Sequence, residues 1–211
     1  MKLQDHLTEY AEPQEQHEFQ IGTELNADGA TTQQKHGWHG LRAVSNDGQF
    51  IAQFTRNGFV FSRLKPYEDW ERFEAEALRL WNAFAEVAQP TEIDRLGVRF
   101  INVMELEPGE TPGDILSLPP QVPDSLPLQV SEFMHQTQFD IPQYGYQLNV
   151  IQTVQRSDGK ASVILDLDVS TTIAPAAPDG NLSTRLREMQ WIKNKAFFSL
   201  VSQSAIARFQ E

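Results

Sequence analysis

Gly58-Phe59-Val60-Phe61-Ser62-Arg63-Leu64-Lys65-Pro66-Tyr67-Glu68-Asp69-Trp70 carries the chain from a strand period into a helical one. Before Pro66 the β-branched and aromatic residues suit a pleated strand. After it, Glu68 and Asp69 place negative charge where a helix N-terminus favours it. Trp70, Phe73, Ala77, Leu80, Phe84 and Val87 then recur at three- and four-residue spacing and make one apolar stripe. Pro90 stops the pattern, so the spacing predicts a helix over 68–88. Upstream, Asn46-Asp47-Gly48 and Asn57-Gly58 separate the runs Leu41–Val44, Gln49–Thr55 and Phe59–Leu64. Asp-Gly and Asn-Gly are tight-turn pairs, which makes this segment a three-strand antiparallel meander. Residues 1–38 hold few large apolar side chains, and the stretch Asn26–Gln34 reads as a loop.

Downstream, Ile93–Leu106 is a long strand rich in Val, Ile and Phe. Residues 107–130 carry six prolines and form a connection. Strands follow near 131–140, 145–154 and 160–170, the last two joined by Ser157-Asp158-Gly159-Lys160. A loop at 174–180 precedes a final helix over 183–208, whose stripe is Leu186, Met189, Ile192, Ala196 and Leu200. Trp81 and Trp191 lie off the tidiest stripes, as an interface or as the seam between two adjacent helices. Residues 93–208 therefore read as strand, proline loop, meander, helix, and residues 40–88 repeat the meander and helix. The expected fold class is α+β: a curved, mostly antiparallel sheet with two long helices packed on one face, in pseudo-duplicated strand-loop-three strands-helix units. The expected organisation is a single domain over 1–211, with a first structural repeat at 1–90 and a second at 91–211. The first repeat is shorter by about one strand and its connection. Either its opening strand is absent or residues 1–38 supply a degenerate substitute, and an absent strand leaves a sheet edge exposed.

The chain has 211 residues, enough for a proper core, and ordinary globular composition at 40% hydrophobic and 22% charged. Its formal net charge of -12 repels a phosphate backbone, so nucleic acid is a poor partner. With no cysteine there are no disulfides, thiol nucleophiles or thiolate metal sites. The N-terminus has no apolar signal region, and the apolar stretch from Ala196 to Ala207 is broken by serines and Gln203. These features point to a cytoplasmic protein without a membrane anchor.

Several segments together resemble one protein family. They are Gly58–Trp70 as quoted above, Arg95-Leu96-Gly97-Val98-Arg99-Phe100-Ile101-Asn102, Leu116-Ser117-Leu118-Pro119-Pro120, Ser162-Val163-Ile164-Leu165-Asp166-Leu167-Asp168-Val169, and Asn194-Lys195-Ala196-Phe197-Phe198-Ser199. In this order and spacing they are similar to a sporadically distributed, uncharacterised family of bacterial proteins somewhat longer than this chain. That family's usual opening strand, with a run of the proline-proline-isoleucine-valine-glutamate-alanine kind, has no counterpart here. The resemblance implies no activity and carries over no catalytic residue.

Strand alternation supplies the one candidate surface. Leu96, Val98 and Phe100 face one way and Arg95 and Arg99 the other; Val163, Leu165, Leu167 and Val169 oppose Asp166 and Asp168; Leu148 and Val150 oppose Gln147 and Asn149. If the apolar sides meet the helices, Arg95, Arg99, Gln147, Asn149, Asp166 and Asp168 gather on the reverse face. Arginine on a strand face can grip an anion or a peptide, although cross-strand ion pairs on a solvated sheet make the same pattern. Asp166 and Asp168 lack the further oxygen ligands that a hard-cation site wants. His36-Gly37-Trp38-His39-Gly40 reads as a loop entering a strand, and the other histidines show no ligand spacing. No Gly-x-Ser-x-Gly elbow or phosphate loop occurs. The expected function is a non-enzymatic binding or regulatory module that recognises a protein or a small ligand with the polar sheet face or an open sheet edge, with no cofactor or metal and with a protein partner or a second copy expected at the open edge. An enzyme of unrecognised type, using Asp166/Asp168 and Arg95/Arg99, is the alternative.

Overall fold

The structure, a computed structural model, describes residues 3–26, 29–64, 69–123, 125, 128, 130–157, 159–173 and 181–208. The fold is α+β, with two long helices and two antiparallel sheets of four strands each, where the sequence pattern suggested one curved sheet. The chain divides into two compact units, Met1–Pro90 and Thr91–Glu211. The predicted turn at Pro66 and the loop at 174–180 lie outside the described residues.

In the first unit, β1 (Gln14–Asn26), β2 (Gly29–Val44), β3 (Phe50–Thr55) and β4 (Gly58–Arg63) form a sheet in that order. The Asp-Gly and Asn-Gly turns fall where expected, with Gly48 and Gly58 at positive φ. Among the described residues of 1–38, however, there is no long loop. They supply a 3-10 turn (Leu3–His6), all of β1 and most of β2, and β1 and β2 pair from Gln14↔Arg42 to Asn26↔Gly29. His36-Gly37-Trp38-His39-Gly40 is thus strand, not loop. Only Gly40–Val44 of β2 also pairs with β3, so the rest of the hairpin continues as a two-stranded ribbon. On that ribbon His17 stacks on His36, with ring centroids 4.8 Å apart, and Phe19 is exposed.

Helix α1 (Trp70–Ala88) starts at Asp69, whose side chain accepts the Arg72 backbone N–H at 2.7 Å. It ends at Gln89, which takes a left-handed φ of 46° before Pro90. Leu80 is fully buried against Leu7, Tyr10, Ala43, Ala52 and Phe54. The N-terminal turn is tied down by Tyr10 Oη, which donates to Glu76 at 2.8 Å, and by Arg79, which donates to the His6 carbonyl at 2.9 Å. Burial and the Glu76 hydrogen bond push the Tyr10 phenol far above its ordinary range.

In the second unit, β5 (Ile93–Glu105), β6 (Met134–Ile141), β7 (Tyr146–Ser157) and β8 (Lys160–Ile173) form a sheet in the order β5-β8-β7-β6. The proline-rich connection between β5 and β6 contains a short helix, α2 (Pro112–Ile115). Helix α3 (Asn181–Leu200) packs on the sheet with Met189 fully buried. The predicted final helix breaks at Val201–Ser202 and resumes as α4 (Gln203–Arg208). A distant segment causes the break. Leu116 forms an antiparallel bridge with Val201, and the Ser117 N–H takes the Leu200 carbonyl at 2.9 Å. Ser202 Oγ donates to the Asp114 carbonyl at 2.6 Å and accepts the Ala205 N–H at 3.1 Å, so it also caps α4. Trp191 is 59% exposed rather than buried in a helix seam, whereas Trp81 packs on Phe59 and Phe84 within the first unit.

Candidate binding face

Register in the second sheet decides which side chains share a face. Val163, Leu165, Leu167 and Val169 of β8 have no exposed surface, and all point to the α3 side. On the reverse side the pairs run Arg99↔Asp168↔Asn149, Ile101↔Asp166↔Ile151 and Gly97↔Ser170↔Gln147. Arg95, Arg99, Gln147, Asn149, Asp166 and Asp168 therefore do lie on one face; the arginines pair with the aspartates, and Gln147 and Asn149 bond to β6 instead.

The ionic contacts run diagonally rather than straight across. Arg99 stands directly opposite Asp168, but its Nε donates to Asp166 Oδ1 at 2.9 Å and its Nη2 to Asp166 Oδ2 at 2.5 Å. Arg95 Nη2 takes Asp168, at 2.8 and 2.7 Å from the two oxygens. Gly97 makes the second reach possible. A β-carbon there would lie 2.7 Å from Arg95 Nη1 and 3.0 Å from Nη2, so the guanidinium rests where a side chain would otherwise stand. Asn149 accepts from Gln136 Nε2 at 2.9 Å, and Gln147 Nε2 donates to Asp140 at 3.1 Å.

Burial within the pairs is unequal. The side chain of Asp166 is 8% exposed and that of Asp168 21%, against 56% for Arg99 and 57% for Arg95. The acids sit on a central strand between two neighbours, while the arginines sit on the edge strand β5 and keep water on one side. Hydrogen bonding to Asp166 holds the Arg99 guanidinium above its ordinary range, partly opposed by desolvation. Both carboxylates are engaged by guanidinium groups, which leaves neither of them an unshared acid or base.

The same face also carries an apolar patch that charge-based reading passed over. Ile101, Val103 and Met134 are 58%, 44% and 76% exposed, next to half-buried Ile151 and Ile164. The signal was present in the sequence: from Val98 to Met104 β5 puts apolar residues on both faces, so Ile101 and Val103 had to follow Arg99. Beyond them, at the end of the sheet, an open recess is lined by Glu105, Gln155, Ser157, Lys160 and Ser162, with Lys160 Nζ 3.2 Å from Glu105.

On the opposite, α3-facing side, Lys193 lies over the Phe100 ring with Nζ 3.6 Å from the centroid. Burial lowers its pKa to about 8. Among the described residues no cluster of three or more His, Asp or Glu is placed to hold a metal ion, and no helix is long and apolar enough to cross a membrane. Comparisons of the chain with protein-family models, with curated proteins and with solved structures find no match.

Proposed function

We propose that this chain is a non-enzymatic binding module that takes a protein or small-molecule ligand on the helix-free face of its second sheet. One observation carries the reading: exposed Arg95 and Arg99 share β5 with exposed Ile101 and Val103, on a sheet face that also carries exposed Met134 on β6. The solvated face of an antiparallel sheet is ordinarily polar, and a contiguous apolar patch beside oriented guanidinium groups is the composition of a docking surface. The enzyme alternative would need an unshared carboxylate, and the Arg95–Asp168 and Arg99–Asp166 pairs count against it. The -12 charge disfavours a nucleic-acid ligand, and the lack of cysteine suits a cytoplasmic location. The two units fit copies of one meander-plus-helix plan, and the segments quoted above support membership of the bacterial family that they resemble.

The test compares the wild-type chain with Ile101→Lys and with Thr184→Lys, a control on the exposed side of α3, all immobilised and exposed to lysate of the native host. Ile101→Lys sits on open surface and changes stability by less than about 0.5 kcal/mol. Capture of a species that Thr184→Lys retains and Ile101→Lys loses is the expected result. Identical capture by all three sinks the face as a binding surface. A divalent-cation shift in melting temperature that vanishes in Asp168→Ala would select the enzyme instead.

A further inference from the structure

A strand presents every second side chain to one face, at a repeat of about 7 Å, and that repeat measures out the helix-free face of the second unit. Along the seam between β5 and β8 three successive rows on this face are Arg99↔Asp168, Ile101↔Asp166 and Val103↔Ile164. The arginines do not stay in their own rows. Arg95 crosses Gly97 and is held by Asp168, in the row of Arg99, while Arg99 is held by Asp166, in the row of Ile101. The two guanidinium groups are therefore pinned in consecutive rows, one side-chain repeat apart. The row that follows, Val103↔Ile164, is aliphatic. Beyond it the surface turns polar again at Glu105 and Lys160, 3.2 Å apart.

The pinned groups keep hydrogen-bonding capacity. Arg95 gives Asp168 only its Nη2, and Arg99 gives Asp166 its Nε and Nη2. Among the described residues nothing accepts from Arg95 Nε or Nη1, or from Arg99 Nη1. Both arginine side chains are more than half exposed, whereas the carboxylates behind them are 21% and 8% exposed. The aspartates thus fix where each guanidinium sits and remain largely shielded from anything that approaches the face. What is left outward is a pair of oriented donors whose side chains are already ordered before a ligand arrives.

We infer that this face takes an extended segment of a partner protein laid along the β5–β8 seam, with acidic residues at two alternate positions and an aliphatic residue at the next alternate position. An extended chain has the same repeat as the strands beneath it, so its sheet-facing side chains meet the Arg95 guanidinium, the Arg99 guanidinium and the Val103–Ile164 row in turn. Carboxylates are the acceptors that guanidinium N–H groups bind most strongly. An aliphatic side chain is what covers Val103, at 44% exposed, and the flank of Ile101, at 58%. The intervening residues of the segment point away from the sheet and are unconstrained. The inference rests on the reading of this face as a binding surface and narrows its ligand to one pattern.

The probes are the capped peptide Thr-Glu-Thr-Glu-Thr-Val-Thr and its reverse sequence, since either chain direction presents the pattern. Each is titrated to millimolar concentration into the full chain, and NMR follows the arginine Nε–H groups and the isoleucine and valine methyls. At least one of the two is expected to shift Arg95, Arg99, Ile101 and Val103 together. It is expected to bind about tenfold or more tightly than the isomer Thr-Glu-Glu-Thr-Thr-Val-Thr, whose adjacent acids point to opposite sides. Arg95→Gln is expected to erase that preference while the methyl spectrum shows an intact fold. Equal binding of the isomers, or shifts confined to other residues, overturns the inference. Pimelate moving the arginine signals as far as the peptide makes a free dicarboxylate the ligand and overturns it as well. So do shifts that grow with protein concentration alone, which make a second copy the occupant. Should the peptides fail to discriminate while Ile101→Lys still loses a species captured from lysate, the acidic pattern falls and the binding face stands; if that capture is also unchanged, both fall.

Discussion

Removing the guanidinium from Arg99 should cost more than removing the carboxylate it holds. Asp166 is 8% exposed and lies directly between Ile101 and Ile151, so without Arg99 its charge loses both hydrogen-bond donors and gains little water. Breaking a fully buried pair costs about 3–5 kcal/mol, and an exposed pair is worth at most about 1 kcal/mol. Arg99 is half-exposed, so Arg99→Ala belongs between these limits, at about 2 kcal/mol. For a unit of this size that is a fall of about 8 °C in melting temperature. Asp166→Val, by contrast, extends the aliphatic row of Ile101 and Ile151 and leaves a guanidinium that can turn to solvent. Its cost should stay below about 1 kcal/mol, and the double variant should lie near it rather than near the sum. Calorimetry on the full chain, wild type, both single variants and the double variant, closes the cycle. Additive losses, or a larger loss for Asp166→Val than for Arg99→Ala, would falsify the view that a buried acid governs this pair.

Two further outcomes follow from neighbouring side chains. Lys193 titrates near pH 8 in the fold because burial disfavours its charged form, against about 10.5 unfolded. The unfolded chain thus binds the extra proton between those values, and stability should rise as pH increases from 8 toward 10. Lys193→Met should abolish that rise and stabilise the protein at pH 7 by about 1–2 kcal/mol, once solvent screening and the Phe100 contact are discounted; a pH dependence unchanged in the variant refutes the assignment. Gly97→Ala should displace Arg95 from Asp168 and cost under about 1 kcal/mol, and it should cost nothing further in an Arg95→Ala background. Equal losses in both backgrounds, measured by urea denaturation, would show that Gly97 serves something other than the seat of Arg95.

What could be read in advance follows from how local each signal is. The α1 stripe, the Asp-Gly and Asn-Gly turns and the alternation of β5, β7 and β8 are set within a few residues, and the structure has them in place. The β1–β2 ribbon escaped because much of it is exposed on both faces, which removes the apolar alternation that marks a half-buried strand. Its runs of Gln, Glu and Thr become strand by pairing with each other, a property of two segments and not of either one. The break at Val201 escaped for a similar reason, since it depends on Leu116 arriving from the proline-rich connection. For the candidate face, alternation was enough to place all six polar residues together. It could not give the diagonal pairing, which for Arg95 turns on Gly97 lacking a side chain, or the exposure of Ile101 and Met134.

The direction of the two ion pairs then decides what the face presents. Aspartate is short, and on central β8 it is walled by β5 and β7, so its charge is spent on the arginine that reaches it. Arginine is long, and from the edge strand it can bond an acid one register away while its remaining N–H groups stay in water. Exchanging the two residue types between the strands would keep every formal charge. It would also bury the guanidinium groups and turn the carboxylates outward, making the face one more acidic patch on a chain of net charge -12. As built, the outer charge of each of these two pairs is positive, and Arg99 stands beside exposed Ile101. If the face binds as proposed, a ligand approaching these pairs would meet arginine before aspartate, and the best complement would carry an acid next to an apolar surface of its own.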